Sequence, residues 1–313
     1  MADKKRPSLG FRGFSSRKSI VEQEDISRII KVRVNDEVEN LEGKTNVITT
    51  TKYSLLSWLP VSLGNQFKRF ANKFFAFISI LMMIGTYAPQ VFASPLEPWS
   101  TVLTLFFVLM VTSVKEGMED YERAKHDSTE NNKEVIRVKF ENGRPMEEKI
   151  LSKNIQAGDI IKLVGHCQVP VDFLIILTSN YADGNTCYIE TASIDGETNL
   201  KVREAPQGID TVDGEVSVHM FNGSIEAEPP NKNIHNFAGA LDLKSKANGI
   251  PLNAENVIWR ASVFSNTDWA YGIAIYCGEE TKVQMNNIEA ISKESRVEEY
   301  ANSAIMLITA TMV

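Results

Sequence analysis

Two long stretches without charge constrain this chain more than anything else in it. No residue from Phe74 to Leu96 is charged, and none from Pro98 to Val114; Glu97 stands alone between them. A helix crossing the hydrocarbon core of a bilayer needs about 20 largely apolar residues. The first stretch meets that length, and the second does once Lys115 snorkels at its end. Neither carries a regular polar face. The reading is a membrane hairpin over 66–118, with spans at about 72–92 and 98–117. Pro89 and residues 94–98 mark the turn. A buried helical pair in a soluble protein is the alternative.

Lys68, Arg69 and Lys73 precede the first span, Lys115, Arg123 and Lys125 follow the second, and the short connection has neither Lys nor Arg. That asymmetry places both outer ends in the cytosol. The first apolar stretch begins too late for a signal peptide. A third apolar run, YANSAIMLITATMV, occupies 300–313. It is too short to span, so the expectation is the start of a third span in the first part of a longer protein. Residues 1–26, rich in Ser, Lys, Arg and Gly, read as a disordered tail.

Between the second and third runs the period changes. EVIRVKF at 134–140 alternates and precedes Glu141-Asn142-Gly143, a hairpin signal. DIIKLV at 159–164, VDFLIIL at 171–177, CYIETASI at 187–194, NVIWRASVF at 256–264 and WAYGIAIYCG at 269–278 read as further strands. They make an all-β domain over roughly 119–299, with 27–65, which contains IIKVRV, as a second contributor. Residues 205–250 read as less regular. Three scattered cysteines exclude a disulfide framework or a cysteine zinc site. The balance of 33 basic against 40 acidic residues argues against a nucleic-acid binder.

One polar cluster has a catalytic look. Asp195-Gly196-Glu197-Thr198 follows a β-type run, and Asp-Gly favours a tight turn because Gly tolerates positive φ. The turn would lift Glu197 to a loop tip, where a carboxylate can orient a water or take its proton. Asp195 or Thr198 could bond the turn backbone. Taken alone, the tetrapeptide is a weak signal and reads first as a solvated acidic turn.

Several blocks in order resemble the N-terminal part of a type IV P-type ATPase, the phospholipid flippase class. They include NVITTTKYSLLSWLP at 46–60, QFKRFANKFF at 66–75 and VKEGMEDYERAKHD at 114–127. CYIETASIDGETNLKVR at 187–203 and VFSNTDWAYGIAIYCGEETKVQMNN at 263–287 continue the series. The likeness covers about residues 45–290. DGET, where ion pumps typically have TGES, points to the lipid class. Arg260-Ala261 departs from the family's usual Arg-Gly, and the linker at 288–299 is more acidic than is usual there.

The resemblance implies a mixed fold: a transmembrane helical hairpin plus a cytosolic all-β actuator domain, a distorted jelly roll, with a third membrane helix begun at 300–313. It implies that Glu197 positions the water that hydrolyses an aspartyl phosphate on another domain, and that Asp195, Gly196 and Thr198 shape the loop. ATP and Mg2+ would be bound by parts of the protein beyond this chain. The substrate would be a phospholipid moved toward the cytosolic leaflet of the plasma membrane or of Golgi or endosomal membranes, with a two-span accessory subunit as partner. Thr86, Tyr87, Gln90, Asn302 and Ser303 are the polar candidates for a lipid path. The alternatives are a cation-transporting P-type ATPase and a transport-inactive regulatory or scaffold head, for example one fused to a guanylate cyclase.

Overall fold

A computed structural model describes residues 28–32, 45–54, 56–90, 97–209, 216–245, 248–288, 300, 302–304 and 306–307. The expected tail over 1–26, the turn at 94–96, most of the acidic linker and the end of the third apolar run lie outside them. Strand β1 (Arg28–Lys31) is followed by helices α1 (Trp58–Gln66), α2 (Phe70–Tyr87) and α3 (Pro98–Asn131). Next come β2 (Glu134–Glu141), β3 (Arg144–Leu151), β4 (Ile160–Val164), β5 (Cys167–Gln168), β6 (Asp172–Thr178) and β7 (Thr186–Glu190). A short helix α4 (Ala192–Asp195) separates β7 from β8 (Lys201–Glu204). The chain continues through β9 (Gly223–Ala227), β10 (Gly239–Leu243), β11 (Ile250–Leu252), β12 (Val257–Ile258), β13 (Val263–Ser265), β14 (Trp269–Tyr276) and α5 (Lys282–Ile288).

Helices α2 and α3 are inside out relative to a soluble core. The buried residues of α2 are Ser79 and Gly85; those of α3 are Pro98, Ser113, Asp120 and Asp127. The apolar side chains point outward, with Leu103, Phe106 and Phe107 each at least 60% exposed. Both helices are long and apolar enough to cross a membrane. Such a surface suits hydrocarbon, because every backbone group is bonded within its helix and only large apolar groups face out. A buried pair in a soluble protein would show the opposite pattern, so that alternative fails on exposure. Helix α2 ends at Tyr87, short of the expected 92, and the second span runs without a break into the charged extension to Asn131.

That extension is a spine. Asp120, Asp127 and Asn131 lie along one face of α3 and accept the backbone amides of the extended segment 45–54. Lys52 and Tyr53 donate to Asp120 at 2.7 and 3.2 Å, Thr50 to Asp127 at 2.7 Å and Ile48 to Asn131 at 2.9 Å. Beyond the single bridge of Thr45 to Gln156, the segment pairs with no strand among the described residues, and side chains answer its orphan donors.

The strands form three sheets, all pairs antiparallel, in the orders β1-β9-β10-β11, β12-β6-β14-β4-β2-β3 and β5-β13-β7-β8. None closes into a barrel. The central strands β6 and β14 are apolar without alternation because both faces are covered. Phe173, Ile175, Ile273 and Ile275 are fully buried, each contributing roughly 1.5–3 kcal/mol. Strand β3, with Pro145, Glu147, Glu148 and Lys149, is the exposed edge, its charges blunting further pairing. The Asn142-Gly143 turn is made, both residues at positive φ (52° and 76°), as a two-residue hairpin requires.

Three expectations change. The run 187–194 is a strand only to Glu190, where a helical turn takes over. The run 256–264 is broken into β12 and β13 by Ala261, whose φ of 68° no strand can accommodate. The irregular stretch 205–250 contains β9 and β10, which pair with each other, and β9 also takes β1 as a partner. These strands are too short for their alternation to stand out.

Candidate functional site

Strand β7 is held on one side by β13 and on the other by β8, an edge strand. The connection over 191–200 therefore projects from a braced sheet. Thr191, 3% exposed, opens it: its carbonyl accepts the amides of Ile194 and Asp195 at 2.8 and 3.1 Å. The single turn ends at Gly196, whose amide donates to the Ala192 carbonyl at 3.1 Å and whose φ is 79°. This left-handed position is why glycine stands there.

Asp195 ties the loop. Its carboxylate accepts the Thr191 hydroxyl at 2.9 Å, the Glu197 amide at 2.9 Å and the Lys201 ammonium at 2.6 Å. Burial pushes the Asp195 carboxyl up, but the Lys201 ammonium, the Glu197 amide and the Thr191 hydroxyl outweigh it and hold it down to about 2. Lys201 in turn is raised, chiefly by Asp195 and then by Glu197. Glu197 reaches the same ammonium at 2.8 Å, yet its side chain stays 60% exposed. Asp195 is thus a structural carboxylate and Glu197 a presented one. Thr198 is exposed at the tip, and Asn199 and Leu200 lead back to the strand.

Lys201 and Thr191 were not singled out in the sequence. An opposite charge four residues after Glu197 was the available signal for Lys201; Thr191 gives none until its burial is seen. The lipid-path candidates lie elsewhere. Thr86 spends its hydroxyl on the Met82 carbonyl at 3.0 Å, one turn back in α2. Tyr87 and Gln90 are exposed at the end of that helix, and Asn302 and Ser303 sit in helical residues of the third run. Among the described residues no hydrogen bond or ion pair joins Thr86, Tyr87, Gln90 or Asn302 to the loop. Among the described residues no three His, Cys, Asp or Glu side chains converge to hold a metal ion.

The N-terminal segment is locked to the sheets through Asn46, which is fully buried. Its amide nitrogen donates to the carbonyls of Ser152 and Pro170 at 3.1 and 2.9 Å. Its oxygen accepts Arg260 Nη1 at 3.0 Å and the Gly278 amide at 2.8 Å. The hydrogen bonds of this one side chain tie the N-terminal segment to four separate parts of the chain.

Residues 32–102 match the family described as phospholipid-translocating ATPase N-terminal. The chain is 35% identical over 285 residues to the phospholipid-transporting ATPase ID of Homo sapiens, covering 90% of this chain and 22% of that protein. It is 36% identical over 275 residues to the probable phospholipid-transporting ATPase 12 of Arabidopsis thaliana, covering 87% of this chain and 22% of the relative. To the phospholipid-transporting ATPase 1 of Arabidopsis thaliana it is 33% identical over 314 residues, 99% of this chain and 26% of the relative. It therefore spans about a quarter or less of the length of these relatives. The N-terminal match, the two apolar helices and the sheet domain agree with one another, and the chain belongs to the phospholipid-transporting P-type ATPase family.

Proposed function

We propose that this chain is the actuator domain and first membrane hairpin of an ATP-driven phospholipid translocase, and that Glu197 places the water that hydrolyses an aspartyl phosphate on another domain. The observation that carries the reading is a division of labour between two carboxylates. Asp195 is consumed in holding the loop, while Glu197 is held out at its tip, 60% exposed. A presented carboxylate on a fixed loop can orient a water for in-line attack and accept its proton once the loop meets its target. Lys201, 2.8 Å away, holds the Glu197 carboxylate in place until then. The three open sheets are read as the distorted jelly roll of an actuator.

In the whole protein this step would be coupled to phospholipid movement toward the cytosolic leaflet. ATP and magnesium would be handled by other domains, and a two-span accessory subunit would be the partner. The Lys and Arg distribution orients the sheet domain to the cytosol. The lipid path along Thr86, Tyr87, Gln90, Asn302 and Ser303 is part of the same proposal, as is residence in the plasma, Golgi or endosomal membrane.

The test is Glu197→Gln in the full-length protein. Phosphoenzyme should still form from labelled ATP, and its decay after a chase should slow roughly 10²–10⁴-fold, the usual contribution of a placed base. Decay at the wild-type rate would sink the assignment and leave DGET a structural turn.

A further inference from the structure

Helix α1 lies across α3, not alongside it. Trp58 Nε1 donates to the Ser113 carbonyl at 3.2 Å, Ser62 Oγ lies 3.2 Å from Ser113 Oγ, and Gln66 Nε2 donates to Ser113 Oγ at 2.8 Å. Three residues spread over about 12 Å of α1 thus converge on one residue of α3, which helices packed lengthwise do not allow. Ser113 stands at the end of the uncharged stretch of α3. Leu103, Phe106 and Phe107 are exposed before it, and Lys115, the first charge after Glu97, follows it. With α3 across the bilayer, α1 is held where hydrocarbon gives way to headgroups, its axis along the surface.

The faces of α1 are sorted accordingly. Its buried residues, Ser62 and Gln66, are polar and turned to α3, where Ser62 also donates to Glu116 at 2.7 Å. Leu56, Leu59, Leu63 and Phe67, spaced three, four and four residues apart, share the face beside that seam. Leu56, Leu59 and Phe67 are exposed, Leu56 at 93%, and Leu63 is half-buried. Val61 lies on the opposite side of the helix. A stripe of large apolar side chains turned outward suits acyl chains, and it leads along the chain into the exposed Phe75 and Phe77 of α2.

The corner between α1 and α2 is basic. Lys68, Arg69 and Lys73 stand there, and no acidic residue occurs from Ser54 to Leu96. Lys68 and Lys73 are exposed and make no ion pair among the described residues. We propose that α1 lies in the headgroup layer of the leaflet next to the sheet domain, its Leu59, Leu63 and Phe67 face in the acyl chains, and that with Lys68 and Lys73 it forms a docking surface for anionic lipid headgroups. The apolar stripe supplies the anchorage and the unanswered ammonium groups select the charge. Nothing in this assignment depends on the role of Glu197.

The test uses the full-length protein in phosphatidylcholine vesicles, with an environment-sensitive fluorophore on Leu59→Cys or Val61→Cys and the labelling of the parent protein subtracted. Brominated phosphatidylcholine should quench the label at 59 at least about twice as strongly as the label at 61, and aqueous iodide the reverse. Brominated phosphatidylglycerol carries the charge without an amine headgroup. At about 10 mol% it should quench the label at 59 about twofold more than the same fraction of brominated phosphatidylcholine, an excess lost in Lys68→Gln/Lys73→Gln and in about 1 M salt. All four positions are exposed, and a wild-type melting transition certifies each variant. Equal lipid quenching at 59 and 61 overturns the placement of α1. A label at 59 shielded from both iodide and bromine means that protein covers the face, and overturns it too. Equal quenching by the two lipids, or an excess that survives loss of both lysines, overturns the anionic docking surface.

Discussion

Lys201 Nζ lies 2.6 Å from Asp195 Oδ2, and this contact closes the loop that carries Glu197. Both side chains are less than a third exposed, so the pair is worth about 1 kcal/mol. Because the folded Asp195 is depressed to about 2, its contribution is complete above the unfolded value near 3.9 and is lost as pH falls toward 2. Lys201→Met should cost about that much stability at pH 7 and little at pH 2. The carboxyl carbon resonance of Asp195 should then titrate at a clearly higher pH. An unchanged titration would show that the amide and hydroxyl suffice.

A second lysine is buried outright. Lys282 has no exposed side-chain area, and its ammonium donates to Glu228 at 2.7 Å, Asn231 Oδ1 at 2.9 Å and the carbonyls of Asn233 and Asn236 at 2.7 and 3.0 Å. It also stands over the Trp259 ring, 4.9 Å from its centre. Lys282→Met leaves a carboxylate and three acceptors facing an apolar chain. The expected loss is about 3–5 kcal/mol by urea unfolding. Glu228→Gln, which keeps an acceptor, should cost less.

Ala261 holds a φ of 68°, a conformation a Cβ disfavours by roughly 1–2 kcal/mol. Its amide donates to the Val169 carbonyl at 3.0 Å, which fixes the turn. Ala261→Gly should therefore raise stability by about 1 kcal/mol, less the entropy that glycine gains in the unfolded chain. A fall in the melting midpoint would contradict this.

Gly117 lets α1 approach α3. A Cβ there would meet the Trp58 ring at 2.8 Å, while Trp58 Nε1 donates to the Ser113 carbonyl at 3.2 Å. Gly117→Ala should displace the ring, break that bond and cost about 1–3 kcal/mol, with a red shift of tryptophan emission. Gly64→Ala, in α1 with open space around it, should shift neither and should favour the helix slightly. Equal effects would mean that the close approach is not made.

The Asn142-Gly143 hairpin, the apolar runs of β6 and β14 and the two uncharged helices were legible because each is a local rule. Turn chemistry, strand period and the cost of charge in hydrocarbon act over neighbouring residues and leave a readable pattern. The position of Glu197 on a turn was legible for the same reason, through the Asp-Gly pair. The seam between segment 45–54 and α3 was not. Asp120, Asp127 and Asn131 read as ordinary polar residues on a charged helix until a distant segment offers its amides.

The sequence by itself determined that there would be two apolar helices, an antiparallel sheet domain between apolar runs and an acidic turn. Only the tertiary structure decided which carboxylate of that turn is presented to solvent. Asp195 and Glu197 are the same functional group two residues apart. The difference arises because β8 brings Lys201 beside both while Thr191 and the Glu197 amide reach only Asp195. Burial and partnership depend on residues far apart in the chain, and no local pattern records them.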